Sequence, residues 1–176
     1  METNEKTNLY LVGYMGAGKT TIGKLLAQKL NRSFTDVDGF IESRYHQTIA
    51  AIFEEKGEAG FREIERRALQ EISEFENIVV STGGGLPCFF DNMNLMNRTG
   101  ITIYLRASVD ELIGRINSNK QKRPLIQGKS SEELHDFVET GLKKREPFYN
   151  QAAFIFDVPH FYTKKEINQW VEELKI

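Results

Sequence analysis

The 176-residue chain has one cysteine, three histidines and no excess of charge of either sign. A single cysteine, Cys88, excludes an intrachain disulfide and fits a reducing compartment. His46, His135 and His160 stand at no metal-ligand spacing. With 23 Lys and Arg against 25 Asp and Glu, the formal net charge is −2. That balance argues against a general binder of nucleic acid or of a membrane surface. No apolar run approaches the length of a membrane span. Residues Met1 to Asn8 are polar and lack the apolar core of a secretory signal, so the expectation is a cytoplasmic protein. Internal repeats and low-complexity tracts are absent as well.

The composition, 40% hydrophobic and 27% charged, is that of a soluble globular protein, and the length suits one domain over residues 1–176. Short apolar runs at Leu9–Gly13, Ser33–Asp36, Ile78–Thr82, Ile101–Leu105 and Phe154–Phe156 read as strands. Helical patterns fall at Lys19–Leu30, Asp38–Tyr45, Ile49–Glu55, Gly60–Glu74, Phe90–Asn97, Ser108–Asn117, Ser131–Asn150 and Lys164–Leu174. This alternation predicts an α/β fold with a parallel sheet covered on both faces and ligands beyond the carboxyl ends of its strands. Two segments break the alternation. Residues 38–65 form consecutive helices between the second and third strands. Residues 117–130 are polar, carry Arg123-Pro124 and suit a loop over a site. In the last helix Ile167, Trp170, Val171 and Leu174 form one stripe, expected to dock on the sheet.

The residues Gly13-Tyr14-Met15-Gly16-Ala17-Gly18-Lys19-Thr20 match G-x-x-x-x-G-K-[ST] between a strand and a helix. Glycines there let backbone N–H groups turn inward around a phosphate, and the helix N-terminus adds partial positive charge. Gly16, Ala17, Gly18, Lys19, Thr20 and Thr21 are the expected contacts to a nucleotide's phosphates. Lys19 would reach the β- and γ-phosphates, and Thr20 would offer its hydroxyl to Mg²⁺. Asp36 and Asp38 close the second strand; one can face the phosphate site, where Mg²⁺ needs a carboxylate in its outer shell, while the other faces a substrate, and capping of the next helix by either is the competing use. Gly83, Gly84 and Gly85 at the end of the third strand allow a ligand close to the backbone. Arg62 and Arg145, taken from spacing alone, read as solvated surface charges. Arg123, in the polar loop, is better placed to meet charge on a transferred phosphoryl group. Cys88 has no evident activating partner and reads as structural.

Taken in order, these motifs resemble the shikimate kinase family. Leu11 to Gly23 is similar to its P-loop. Asp36-Val37-Asp38 with Ile41-Glu42, and Ile49 to Phe53 leading to Gly57-Glu58, follow its pattern. Phe61-Arg62-Glu63-Ile64-Glu65 matches F-R-x-x-E. Ser81 to Gly85, Arg123-Pro124-Leu125 and Arg145-Glu146-Pro147-Phe148-Tyr149 complete the series. The resemblance implies a P-loop fold with a five-stranded parallel sheet in a three-layer α/β/α arrangement, a helical substrate-binding insertion at about 38–65 and a lid at about 117–130. It implies transfer of the γ-phosphoryl group of ATP to the 3-hydroxyl of shikimate, with Mg²⁺, in a monomer. It assigns Arg62 and Arg145 to the substrate carboxylate, Asp38 to the ring hydroxyls, and Gly83 to Gly85 to substrate contact. It gives Asp36 and Thr20 to the metal, and Lys19 and Arg123 to the migrating phosphoryl group. The chain departs from the family where relatives stack an arginine on adenine. That position is Ile116 here, with Arg115 one residue away, so Arg115 or His160 is the candidate. A kinase for another polyol acid such as gluconate, and a catalytically dead binding module, are the alternatives.

Overall fold

The computed structural model describes residues 7–117 and 128–158, with positions 165, 166, 169 and 172 of the C-terminal stretch. In chain order the elements are β1 (Asn8–Val12), α1 (Lys19–Leu30), β2 (Ser33–Asp36), α2 (Val37–Tyr45), α3 (Ile49–Ser73) and β3 (Ile78–Ser81). There follow a 3-10 turn (Leu86–Cys88), α4 (Asn92–Thr99), β4 (Gly100–Arg106), α5 (Val109–Asn117), α6 (Ser131–Tyr149) and β5 (Phe154–Asp157). All neighbouring strands are parallel, in the order β2-β3-β1-β4-β5.

Burial follows that order. Leu9, Tyr10, Leu11 and Val12 of the central strand are all 0% exposed, because helices cover both sheet faces. Edge strands β2 and β5 are only partly buried. Asn8 opens β1 with a buried amide bonded at both ends: it donates to the Phe75 carbonyl at 2.6 Å and accepts from the Ile78 N–H at 3.2 Å. This fixes β3 beside β1 at the entrance to the sheet. At the other end, the order reverses around β1, whose neighbours are β3 and β4. The crevice for a ligand opens at that switch point, where Gly13 follows β1.

The strands fall within a residue or two of expectation. The pair of helices predicted at Ile49–Glu55 and Gly60–Glu74 is a single run, α3, broken by one residue. Gly57 has φ 67° and ψ −179°, a region essentially reserved for glycine. Thr48 caps the first half by accepting from the Ala51 N–H. Phe53 before the kink and Phe61 after it stack with centroids 4.3 Å apart, closing the angle. The helix expected from Phe90 begins two residues later, after the 3-10 turn. Helix α6 starts with a complete capping box between Ser130 and Glu133. The stripe Ile167, Trp170, Val171 and Leu174, together with residues 118–127 of the expected lid, lies outside the described residues. Among the described residues no helix is long and apolar enough to cross a membrane.

Candidate active site

The donor half begins where β1 runs out. Gly13, Gly16 and Gly18 have φ of 144°, 85° and 95°, so the loop curls in a way side chains would resist. A Cβ on Gly13 would stand 2.8 Å from the Leu105 carbonyl, and one on Gly16 would stand 3.1 Å from Ile116. The loop is therefore seated on β4 and backed by α5. Lys19 is 9% exposed; its ammonium donates to the carbonyls of Gly13 at 2.7 Å and Tyr14 at 3.0 Å. That arrests the amine inside the curve of the loop. Ile116, at the position expected to stack on adenine, is wholly buried. Arg115 lies along the loop instead, donating to the Gly16 and Ala17 carbonyls at 3.4 Å each.

Three oxygens converge at the start of α1. The Thr20 hydroxyl donates to Asp36 Oδ2 at 3.3 Å and lies 3.5 Å from Ser81 Oγ. The other Asp36 oxygen accepts from the Gly39 N–H at 3.2 Å and caps α2. The capping reading of Asp36 holds, and its second oxygen stays turned toward Thr20. Hydroxyl and carboxylate oxygens are the donor set a hard divalent cation takes, so these residues fit Mg²⁺.

The acceptor half lies beside it. Asp38 sits in the first turn of α2, and burial, reinforced by the charge of Asp36, pushes its carboxyl up to about 6 against the pull of Lys19 and Arg62. Gly83 lies so close that a Cβ there would be 3.0 Å from Glu65 Oε1 and 3.2 Å from Asp38 Oδ1. Arg62 is 9% exposed. Its Nη1 donates to Glu65 at 2.5 Å and its Nη2 to Glu58 at 3.1 Å. Its Nε is buried with no hydrogen-bond partner among the described residues. Burial pushes Glu65 up to about 7, opposed by the Arg62 charge. Arg145 reaches the same place from α6. Its guanidinium lies 5.2 Å from the Tyr14 ring centroid, and one of its nitrogens would be 3.4 Å from a Cβ on Gly84. The Tyr149 hydroxyl donates to the Gly84 carbonyl at 2.5 Å, tying the glycine turn to α6.

The structure thus brings Lys19, Thr20, Asp36, Asp38, Arg62, Gly83, Gly84, Gly85 and Arg145 into one crevice. The spacing-based reading of Arg62 as a solvated charge is corrected: α3 turns it inward, where Glu65 compensates it. Arg145 likewise is half-buried against Tyr14. Arg123 and His160 lie outside the described residues. Glu65 and Ser81 went unassigned from sequence. Position three after Arg62 on a helix was the available signal for Glu65; Ser81 offered none beyond its place at a strand end. The Cys88 thiol is pushed up to about 11 by burial, so it stays protonated, as its structural reading required.

A phosphate loop at the switch point of a five-stranded parallel sheet, facing a buried set of carboxylates and arginines, defines a P-loop kinase for a small anionic acceptor. The family model for shikimate kinase matches residues 15–175. Shikimate kinase of Bacteroides thetaiotaomicron is 52% identical over 167 residues, 95% of each chain, and that of Parabacteroides distasonis is 51% identical, covering 91% of this chain and 92% of the other. A crystal structure of the Bacteroides thetaiotaomicron shikimate kinase superposes with a TM-score of 0.91 at 51% identity, over 97% of each chain. Shikimate kinase from Acinetobacter baumannii, solved in complex with shikimate, gives 0.86 at 36% identity, over 96% of this chain and 92% of that one. This chain belongs to the shikimate kinase family.

Proposed function

We propose that this chain transfers the γ-phosphoryl group of ATP to the 3-hydroxyl of shikimate, giving shikimate 3-phosphate and ADP on the way to chorismate and the aromatic amino acids. The observation that supports a carboxylate on the acceptor is the Nε and Nη2 edge of Arg62. Arg106 shows what that edge does: its Nε and Nη2 hold both oxygens of Asp157, at 2.5 and 2.8 Å. Among the described residues the same two nitrogens of Arg62 carry only Glu58 on Nη2, a side chain 63% exposed, and nothing on Nε. A carboxylate displacing Glu58 takes both bonds. Arg145 supplies a second cation to the same group.

Asp38 accepts a hydrogen bond from the attacking hydroxyl and aims it at the γ-phosphorus. In a loose transition state positioning outweighs early deprotonation. Lys19 leaves its two carbonyls for the β- and γ-phosphates, and backbone N–H groups of residues 16–21 hold the remaining phosphate oxygens. Mg²⁺, held by Thr20 directly and Asp36 through water, would neutralise charge on those oxygens. Arg123 on the lid, residues 117–130, would meet the migrating group. Its removal should cost on the order of 10³-fold in rate if it acts as an arginine finger. The insertion at 38–65 forms the acceptor wall within one domain, and the chain acts as a cytoplasmic monomer. An ADP-release assay with shikimate, gluconate and nucleoside monophosphates tests the reading. Turnover with shikimate alone supports it; turnover with gluconate or a nucleotide and none with shikimate overturns it.

A further inference from the structure

The Arg62 guanidinium is bounded by more than its ion pairs. Phe89 lies across it, with 4.2 Å from the guanidinium carbon to the ring centroid. Phe61 and Phe53 stand farther off at 5.4 and 5.8 Å. Gly85 presses on it from the backbone: a Cβ there would be 2.8 Å from both Nη atoms. The segment bearing Phe89 is itself braced. Buried Asn92 donates to the Leu86 carbonyl at 2.8 Å and accepts from Arg66 Nη1 at 2.8 Å, while Arg66 Nη2 pairs with Asp91 at 2.5 Å. Arg66 is one helical turn beyond Arg62 on α3. The next residue, Phe90, holds φ of 52°, an uncommon conformation for a bulky side chain, and is 55% exposed. The turn therefore spends backbone strain and a buried amide to lay one ring on one guanidinium.

We infer that Phe89 is a positioning residue for acceptor binding: stacked on Arg62 and held by the Asn92–Arg66 brace, it fixes the guanidinium plane so that the Nε and Nη2 edge meets the acceptor carboxylate. This rests on the reading of Arg62 as the carboxylate's partner. Hydrogen bonds donated to Glu65 and Glu58 anchor two nitrogens but leave rotation about the Arg62 chain; a ring over the guanidinium carbon restricts it. The stack also keeps water from the guanidinium face, where a desolvated cation interacts most strongly with a ring.

Steady-state constants for both substrates test this in Phe89→Leu, Phe89→Tyr, Phe90→Leu and Arg62→Lys. Phe89→Leu should raise KM for shikimate about tenfold, with kcat falling less than that and KM for ATP within about twofold of the parent. Phe89→Tyr, which keeps the ring, should restore the shikimate KM, and Phe90→Leu on the exposed neighbour should leave both constants alone. A shikimate KM unchanged in Phe89→Leu while Arg62→Lys raises it overturns the inference and leaves the Arg62 reading standing. An unchanged KM in Arg62→Lys overturns both. A Phe89→Leu loss shared by the ATP KM and not rescued by tyrosine marks general loosening of the fold, and also overturns it.

Discussion

Asp38 and Glu65 are carboxyls whose charge the site has made expensive. Burial is the larger cause for each, only partly offset by Lys19 and Arg62 at Asp38 and by Arg62 and Arg145 at Glu65. On the proposed role of Asp38, which needs an ionised carboxyl to accept the substrate hydroxyl, kcat/KM for shikimate should fall as pH drops below about 6, the value to which its carboxyl is pushed. A pH–rate profile checks this, and the limb should vanish in Asp38→Asn at a rate lowered on the order of 10²-fold. Arg62→Lys should raise the shikimate KM well beyond the ATP KM. Lysine has no fork for a carboxylate and no plane for Phe89 to stack on. The phosphate-loop residues were legible singly, since their chemistry is written in eight consecutive positions. Arg62 was not: on spacing alone it sits on a helix between ordinary surface charges. Its burial is decided by the segment Leu86–Phe89, far away in sequence, and only the whole ordered set of motifs pointed to its role.

Helices α3 and α6 each carry one arginine into the crevice, and each depends on a glycine to do so. At Gly57 any other residue must enter a backbone region closed to it, so Gly57→Ala should destabilise the protein by about 1–3 kcal/mol. Denaturant unfolding measures it. On α6, a Cβ at Gly141 would stand 2.3 Å from the buried Tyr14 hydroxyl and 3.0 Å from its ring. Gly141→Ala should therefore push α6 off the phosphate loop, costing about 1–3 kcal/mol and raising KM for both substrates, because Tyr14 touches Arg145 and its carbonyl holds Lys19. Element positions were largely readable, because buried strands in a parallel sheet announce themselves as apolar runs. The kink in α3 was readable only as an interruption. Periodicity resumes after Gly57, and nothing local says whether two helices separate or one bends. The Phe53–Phe61 stack, a tertiary contact, decides for bending.

Taken whole, the protein should be more stable in mild acid than its near-neutral charge suggests. From about pH 4, where free carboxyls titrate, up to about 7, native Glu65 and Asp38 hold more protons than the unfolded chain does. Stability must then fall as pH rises through that window. Asp157, pulled below its ordinary value by its bonds to Arg106, works in the opposite direction but only at lower pH. Unfolding midpoints should therefore drop between pH 5 and pH 8, and Glu65→Gln should flatten that slope. A midpoint that rises over the same interval would contradict the burial of these two groups. The kink at Gly57 has one more effect on the molecule as a whole. Phe61 belongs to the half of α3 after the kink, whereas Phe53 belongs to the half before it, yet both approach the Arg62 guanidinium, at 5.4 and 5.8 Å from their ring centroids. The ring pair that closes the kink in α3 and the rings around the Arg62 guanidinium are one object. Replacing Phe53 would therefore loosen the kink and the surroundings of Arg62 together.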